Sequence, residues 1–233
     1  MRISAIKTLN LKILVAILPV FIFALFLALK IFSPETYFQT VQEDTFIEYL
    51  QILFYFLAAI LTFASAKFFT KLNLTLLCIL YIILGIGLLF VSIEEFSWGQ
   101  RIFGIQNPTY FEHNNFQKEL SIHNLNAIQP LLHIIYILVG AFGSLAWIIT
   151  KLPLLRCAPS ANLQSRFLAP DFYIAPYFLI IFIIYFTLEF LATPSANSFL
   201  IWRDQEPAEL ILSSGFLIFA IDNYFRASVL KKP

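Results

Sequence analysis

A run of about twenty apolar residues leaves a polypeptide few structural choices. At about 1.5 Å per residue it matches the ~30 Å hydrocarbon core of a bilayer, where every backbone polar group must bond within the segment. This chain has six such runs, near Ile13–Phe32, Phe46–Ala66, Leu72–Phe96, Leu131–Thr150, Phe172–Thr193 and Ala208–Ala227. They predict an all-α fold, a six-span transmembrane helical bundle forming a single integral membrane domain over residues 1–233. Composition agrees, at 60% hydrophobic and 12% charged, whereas soluble domains are roughly half apolar and a quarter charged. A net charge of +1 offers no basic surface to nucleic acid. Cys78 and Cys157 form no CxxC and no Cys/His cluster, so both are expected to be inert. The run after Arg2, Lys7 and Lys12 is longer than a signal h-region and is followed by no small-x-small site, so it is expected to be a retained span.

Orientation follows from lysine and arginine, which concentrate on the cytoplasmic side. With the N-terminus inside, the inner segments carry Arg2, Lys7, Lys12, Lys67, Lys71, Lys151, Arg156, Arg166, Arg226, Lys231 and Lys232. Only Lys30, Arg101, Lys118 and Arg203 remain outside. The bias predicts a multi-pass protein of the inner (plasma) membrane with both termini cytoplasmic. Acids segregate the other way. Among the fourteen, only Asp171 and Asp222 fall at inner ends, and Asp222 has Arg226 one turn on.

Glu48, Glu94, Glu189 and Glu209 each sit about one turn inside an outer span end. If their helices pack together, four carboxylates form one acidic layer below the outer surface. Isolated ionised carboxylates would be unstable there, so they must be protonated, paired, or holding a cation. Glu43, Asp44, Asp204 and Glu206 lie in or before first turns, and Pro207 suits a first helical position, which reads as capping.

The sharpest local feature is Ser92–Arg101, Ser-Ile-Glu-Glu-Phe-Ser-Trp-Gly-Gln-Arg, which closes the third span with two adjacent carboxylates. A charge costs about 2.5–3.5 kcal/mol at a span's centre and less near its ends. If the helix continues past Phe96, Glu94, Ser97, Trp98 and Arg101 share a face and Arg101 neutralises Glu94. Glu95 is then the candidate general base, proton carrier or metal ligand, with Gln100 placed to orient a water or a headgroup.

The connection that follows, 97–130, is the long outer interfacial segment, held near the membrane surface by Trp98, Phe103, Tyr110, Phe111 and Phe116. Asn107-Pro108-Thr109 marks a turn, and Asn114 or Asn115 is placed to cap a short helix reaching about Asn126. On that helix Glu119 and His123 stand one turn apart, a spacing that suits either a surface pair or two ligands of one metal. With Glu94 and Glu95 they complete a ligand inventory for zinc or another divalent cation. His113 reads as solvated, and His133 enters the fourth span.

Glu94-Glu95-Phe96-Ser97-Trp98-Gly99-Gln100-Arg101, followed by Glu119 and Ser121-Ile122-His123-Asn124-Leu125, resembles a pattern in a family of bacterial polytopic membrane proteins with no assigned activity. The resemblance covers mainly residues 94–125 and implies a bacterial inner-membrane protein with an outer site. Alkaline ceramidase-like membrane hydrolases, whose zinc site uses Ser, Asp and three His, offer an analogy of chemistry only. This chain lacks their paired histidines on a late span and has too few spans.

Three functions fit these residues. The first is a metal-dependent hydrolase or transferase acting on a lipid or envelope substrate. There Glu119, His123, Glu94 and Glu95 hold the metal, a remaining Glu serves as base beside Ser97 and Gln100, and Arg101, Trp98 and Arg203 bind an anionic headgroup. The second is a cation- or proton-coupled transporter or channel using Glu48, Glu94, Glu189 and Glu209. The third is a non-catalytic membrane assembly subunit that docks through the outer segment. Oligomeric state is not legible.

Overall fold

The computed structural model describes residues 2–42, 44–152, 159–192 and 199–230, with side chains throughout these except at 2–8, 101 and 159–162. Among them the chain is helical, with one isolated antiparallel bridge between Asn115 and Leu125. The helices are α1 (Arg2–Phe32), α2 (Pro34–Thr40), α3 (Phe46–Lys71), α4 (Thr75–Glu95), α5 (Gln100–Phe103), α6 (Thr109–Asn114), α7 (Gln129–Ile149), α8 (Pro159–Leu168), α9 (Ala175–Phe186) and α10 (Gln205–Leu230). Among the described residues five helical stretches are long and apolar enough to cross a membrane: Leu9–Phe32, Phe46–Lys71, Thr75–Glu95, Gln129–Ile149 and Trp202–Leu230. The architecture is that of a multi-pass integral membrane protein.

The run expected as a fifth of six spans, Phe172–Thr193, is shorter than predicted. It yields twelve α-helical residues in α9 and then five of π-helix, Thr187–Leu191. Asp171–Ile174 is spent on a turn, with Ile174 and Ala175 N–H bonded back to Asp171. Thr193 lies outside the described residues, as do Glu43, Arg156, Cys157, Lys231 and Lys232.

The chain divides into two compact units. One comprises residues 46–136 and 216–233. Its frame is the antiparallel pair α3–α4, joined by a tight turn at Asn73, whose φ of 56° is one that asparagine tolerates better than most side chains. Leu74 N–H bonds Phe69 O at 3.0 Å and Asn73 N–H bonds Thr70 O at 3.2 Å, so the last carbonyls of α3 are satisfied. Tyr55, Ala58, Ala59, Leu88 and Ala220 form a buried cluster, and Ser92 Oγ donates to Ile52 O across the helix pair at 2.9 Å. In a bilayer, where apolar burial gives no net drive, such small residues and interhelical hydrogen bonds hold helices together.

The other unit comprises residues 1–45 and 137–215. Gly143 lets α7 approach α9 closely, since a Cβ there would lie 2.2 Å from the Phe178 ring. The first span packs unlike the rest. Only 6% of its best apolar window is buried, against 56% for Trp202–Leu230. Of its described side chains, the buried ones are Pro19 and Lys30, so its lysine is more enclosed than the leucines and phenylalanines around it.

Candidate functional site

The site grows from the end of α4. The helix stops at Glu95, Phe96 closes it, and the next three residues all take positive φ: Ser97 at 44°, Trp98 at 54° and Gly99 at 73°. Only glycine enters this region without strain, so Ser97 and Trp98 each cost about 1–2 kcal/mol. The helix therefore does not continue past Phe96, the condition under which Glu94, Ser97, Trp98 and Arg101 would share a face. Glu94 and Trp98 still meet, because the left-handed turn folds the indole back and its Nε1 donates to Glu94 Oε1 at 2.6 Å. Phe90 packs edge-on against that indole, with ring centroids 6.3 Å apart.

Glu94 is 2% exposed. Its Oε2 accepts the backbone N–H groups of Ile122 at 2.6 Å and His123 at 2.9 Å, and the His123 ring nitrogen Nδ1 lies 3.3 Å away. Two successive amides converging on one oxygen make a small anion nest, filled here by a side chain of the same chain. A carboxylate oxygen carries only lone pairs, so with Glu94 ionised Nδ1 must hold the hydrogen. Nε2 is then the basic nitrogen of the neutral ring. His123 itself is half-buried.

The expected helical pairing of Glu119 and His123 does not form. They are not one turn apart on a helix: α6 ends at Asn114, and residues 115–128 form a loop pinned by hydrogen bonds. Phe116 N–H donates to Asn124 O at 2.8 Å and Asn126 N–H to Asn114 O at 3.0 Å, closing the loop's base. Buried Asn115 fills its centre. Its Oδ1 accepts from Gln117 N–H at 2.9 Å and Glu119 N–H at 3.3 Å, while its Nδ2 donates to Ser121 O at 2.7 Å. Asparagine won because its side chain supplies a donor and two acceptor sites locally, more than one helical cap would use.

The turn and the loop are joined at three points. Glu94 holds Ile122 and His123, Ser97 Oγ donates to Glu119 Oε2 at 2.5 Å, and Gln100 Oε1 accepts Leu120 N–H at 2.7 Å. Ser97, Glu119, Ser121 and Asn124 are all buried. A serine, a histidine and two carboxylates thus occupy one hydrogen-bonded patch. The chain matches no family model, no curated protein and no solved structure.

The other expected site residues scatter. Glu95 is half-buried one position on from Glu94, about 100° around the helix. The Arg101 side chain lies outside the described residues, and so does its expected pairing with Glu94. Of the acidic layer, Glu48 is half-buried in the first turn of α3, in the same unit as Glu94. In the other unit Glu209 is buried and accepts the Tyr185 hydroxyl, while Glu189 is exposed on the π-helix. Arg203 pairs with Glu206 at 3.3 Å, and the expected pair Arg226–Asp222 forms at 2.5 Å. Among the described residues no three His, Cys, Asp or Glu side chains converge as a metal-ligand set. Sequence reasoning missed the loop's organiser, Asn115. The signal available was its place beside Asn114 at the head of a segment rich in serine and asparagine.

Proposed function

We propose that this is a bacterial inner-membrane protein, with both termini cytoplasmic, that carries an acid–base site for hydrolysis or group transfer on a lipid or envelope substrate. The observation that supports it best is the Glu94–His123 pair. A buried carboxylate fixes the ring through Nδ1 and stabilises the imidazolium that forms when Nε2 takes a proton from water or an acceptor hydroxyl. The base is thus the imidazole, oriented by Glu94, in place of Glu95. Ser97 and Glu119 form the neighbouring hydrogen-bonded pair, and the exposed indole of Trp98 gives an interfacial anchor for a lipid headgroup. In the proposed topology the three spans before residue 97 put the 97–130 connection on the outer side, and Ala175–Leu191 completes a sixth crossing that returns the C-terminus to the cytoplasm.

The test uses purified protein in vesicles of phosphatidylglycerol and phosphatidylethanolamine, with products followed by mass spectrometry. Turnover should fall about 10²–10⁴-fold in His123→Gln, the usual worth of a positioned general base. Full activity in that variant, or no conversion of any component by the native protein, overturns the reading. A second reading, proton- or cation-coupled transport, draws on the π-helix that exposes Glu189 within an apolar stretch, since such π segments recur at functional sites. Flux into liposomes that is lost in Glu189→Gln would favour it.

A further inference from the structure

Lys30 poses a problem that the acid–base site does not touch. It lies two residues from the end of the first span, 8% exposed, with its ammonium 2.5 Å from both carboxylate oxygens of Asp204. Asp204 is fully occupied: Oδ1 also accepts the Tyr37 hydroxyl at 2.7 Å, and Oδ2 the Ile201 N–H at 2.8 Å. The ammonium carries three hydrogens and uses two on Asp204. Around it lie aromatic faces, Phe199 at 4.5 Å and Tyr37 at 5.4 Å from Nζ to ring centroid.

Lys30, Tyr37, Asp204 and Phe199 are among the lining of a cavity of about 80 Å³ whose walls also include Phe23, Phe26, Leu27 and Ile184. It has about half the volume of the ~150 Å³ apolar cavity that holds a benzene molecule. That is room for a short stretch of hydrocarbon and not for a whole lipid. The rest of such a chain has a surface to follow, because α1 leaves most of its apolar side chains uncovered. The 24-residue span Leu9–Phe32 is about 36 Å long, longer than the ~30 Å hydrocarbon core, so Lys30 falls at the boundary where acyl esters begin.

We propose that this cavity is a lipid site, taking one acyl chain of a diester phospholipid from the surrounding bilayer, with an ester carbonyl accepting the third hydrogen of the Lys30 ammonium. The ion pair with Asp204 is neutral overall, so the site selects an oxygen acceptor at a fixed depth and not an anionic headgroup. It stands independently of the Glu94–His123 reading.

Native mass spectrometry of the full chain tests the proposal, with dioleoyl phosphatidylglycerol, its diether analogue and soluble glycerol phosphate as probes. The diester should survive delipidation as one retained lipid and bind about tenfold more tightly than the diether, in keeping with one hydrogen bond to a charged group. Leu27→Trp, which fills the cavity and leaves the ion pair in place, should lose that lipid. The paired variant Lys30→Met with Asp204→Asn, which leaves no unpartnered charge, should bind diester and diether alike. Equal binding of the two lipids by the native protein, unchanged retention in Leu27→Trp, or displacement by glycerol phosphate would each overturn the proposal.

Discussion

Two of the buried carboxylates, Asp204 and Glu94, lie near helix ends and are stabilised in opposite ways. Asp204 meets a cation brought from the far end of the sequence, Lys30, together with a phenol and one backbone amide. Glu94 meets local groups: two successive amides, an indole and an imidazole, all from residues 98–123. The first arrangement joins elements 174 positions apart and leaves Asp204 no spare acceptor. The second folds one loop over one helix end, and its partner His123 is a group that can change charge. Both carboxylates are buried, so burial alone separates nothing. What separates a brace from a candidate catalytic group is whether a partner has a second reactive atom outside the pair, and the half-buried His123 ring has one in Nε2.

The contrast breaks most severely at Asp204. Asp204→Ala leaves the Lys30 ammonium buried beside aromatic rings, and losing one partner of a buried pair costs about 3–5 kcal/mol. We expect a large drop in thermal unfolding temperature in detergent. Lys30→Met with Asp204→Leu should recover most of it, because it removes both charges at once. A single variant as stable as native would show that the pair is not buried in the folded protein.

Glu94→Ala should come next. It strands the Ile122 and His123 amides and the Trp98 indole, at about 1–3 kcal/mol for each group left unsatisfied, less where water enters the loop. The sharper readout is local: amide exchange at Ile122 and His123 should accelerate while α3 and α4 keep their protection. If Glu94 were merely one member of a diffuse acidic layer, exchange at these two amides would be unchanged.

A pH experiment separates the two carboxylates again. Burial, then the hydrogen bond to Asp204, then the nearby charges of Asp204 and Glu206, hold the Tyr37 phenol well above its ordinary value of 10.0. Above pH 10 the unfolded chain loses this proton and the folded chain keeps it, so the folded state binds more protons and stability falls as pH rises. Tyr37→Phe should lessen the alkaline loss of stability measured between pH 9 and about 11. Glu94→Gln has no phenol in its network and should leave that slope as it was.

Much of the architecture was legible because hydrocarbon thickness converts directly into run length. Residues 46–95 appear close to where the apolar windows put them. The helix of the fifth run begins later than its apolar window. Asp171 and Pro176 delay the helix start to Ala175, and hydropathy does not register such a delay. The residues of the site were legible as a group, because charge and serine in an apolar setting are costly enough to stand out. Their geometry was not. Periodicity alone favours a helical Glu119/His123 pair, while the loop follows from Asn115 satisfying several backbone groups at once. Lys30 was hidden differently, since a lysine near a span end reads as one more interfacial cation.

The finest expected difference lies in the turn that sets the site. Ser97→Ala and Ser97→Gly both delete the hydroxyl that donates to Glu119, so both lose the same hydrogen bond. They differ in backbone alone. At φ 44° alanine keeps the strain that serine has, while glycine relieves it, at roughly 1 kcal/mol on the low side of the usual left-handed penalty. Glycine also widens the unfolded ensemble by about 0.4–1 kcal/mol, which offsets part of the gain. Chemical unfolding should therefore rank Ser97→Gly as equal to or slightly more stable than Ser97→Ala, reversing the order expected inside a helix. An alanine variant more stable by a full kcal/mol, as helix propensity would give, would mean that α4 continues through Ser97 and that the turn carrying Trp98 back to Glu94 does not form.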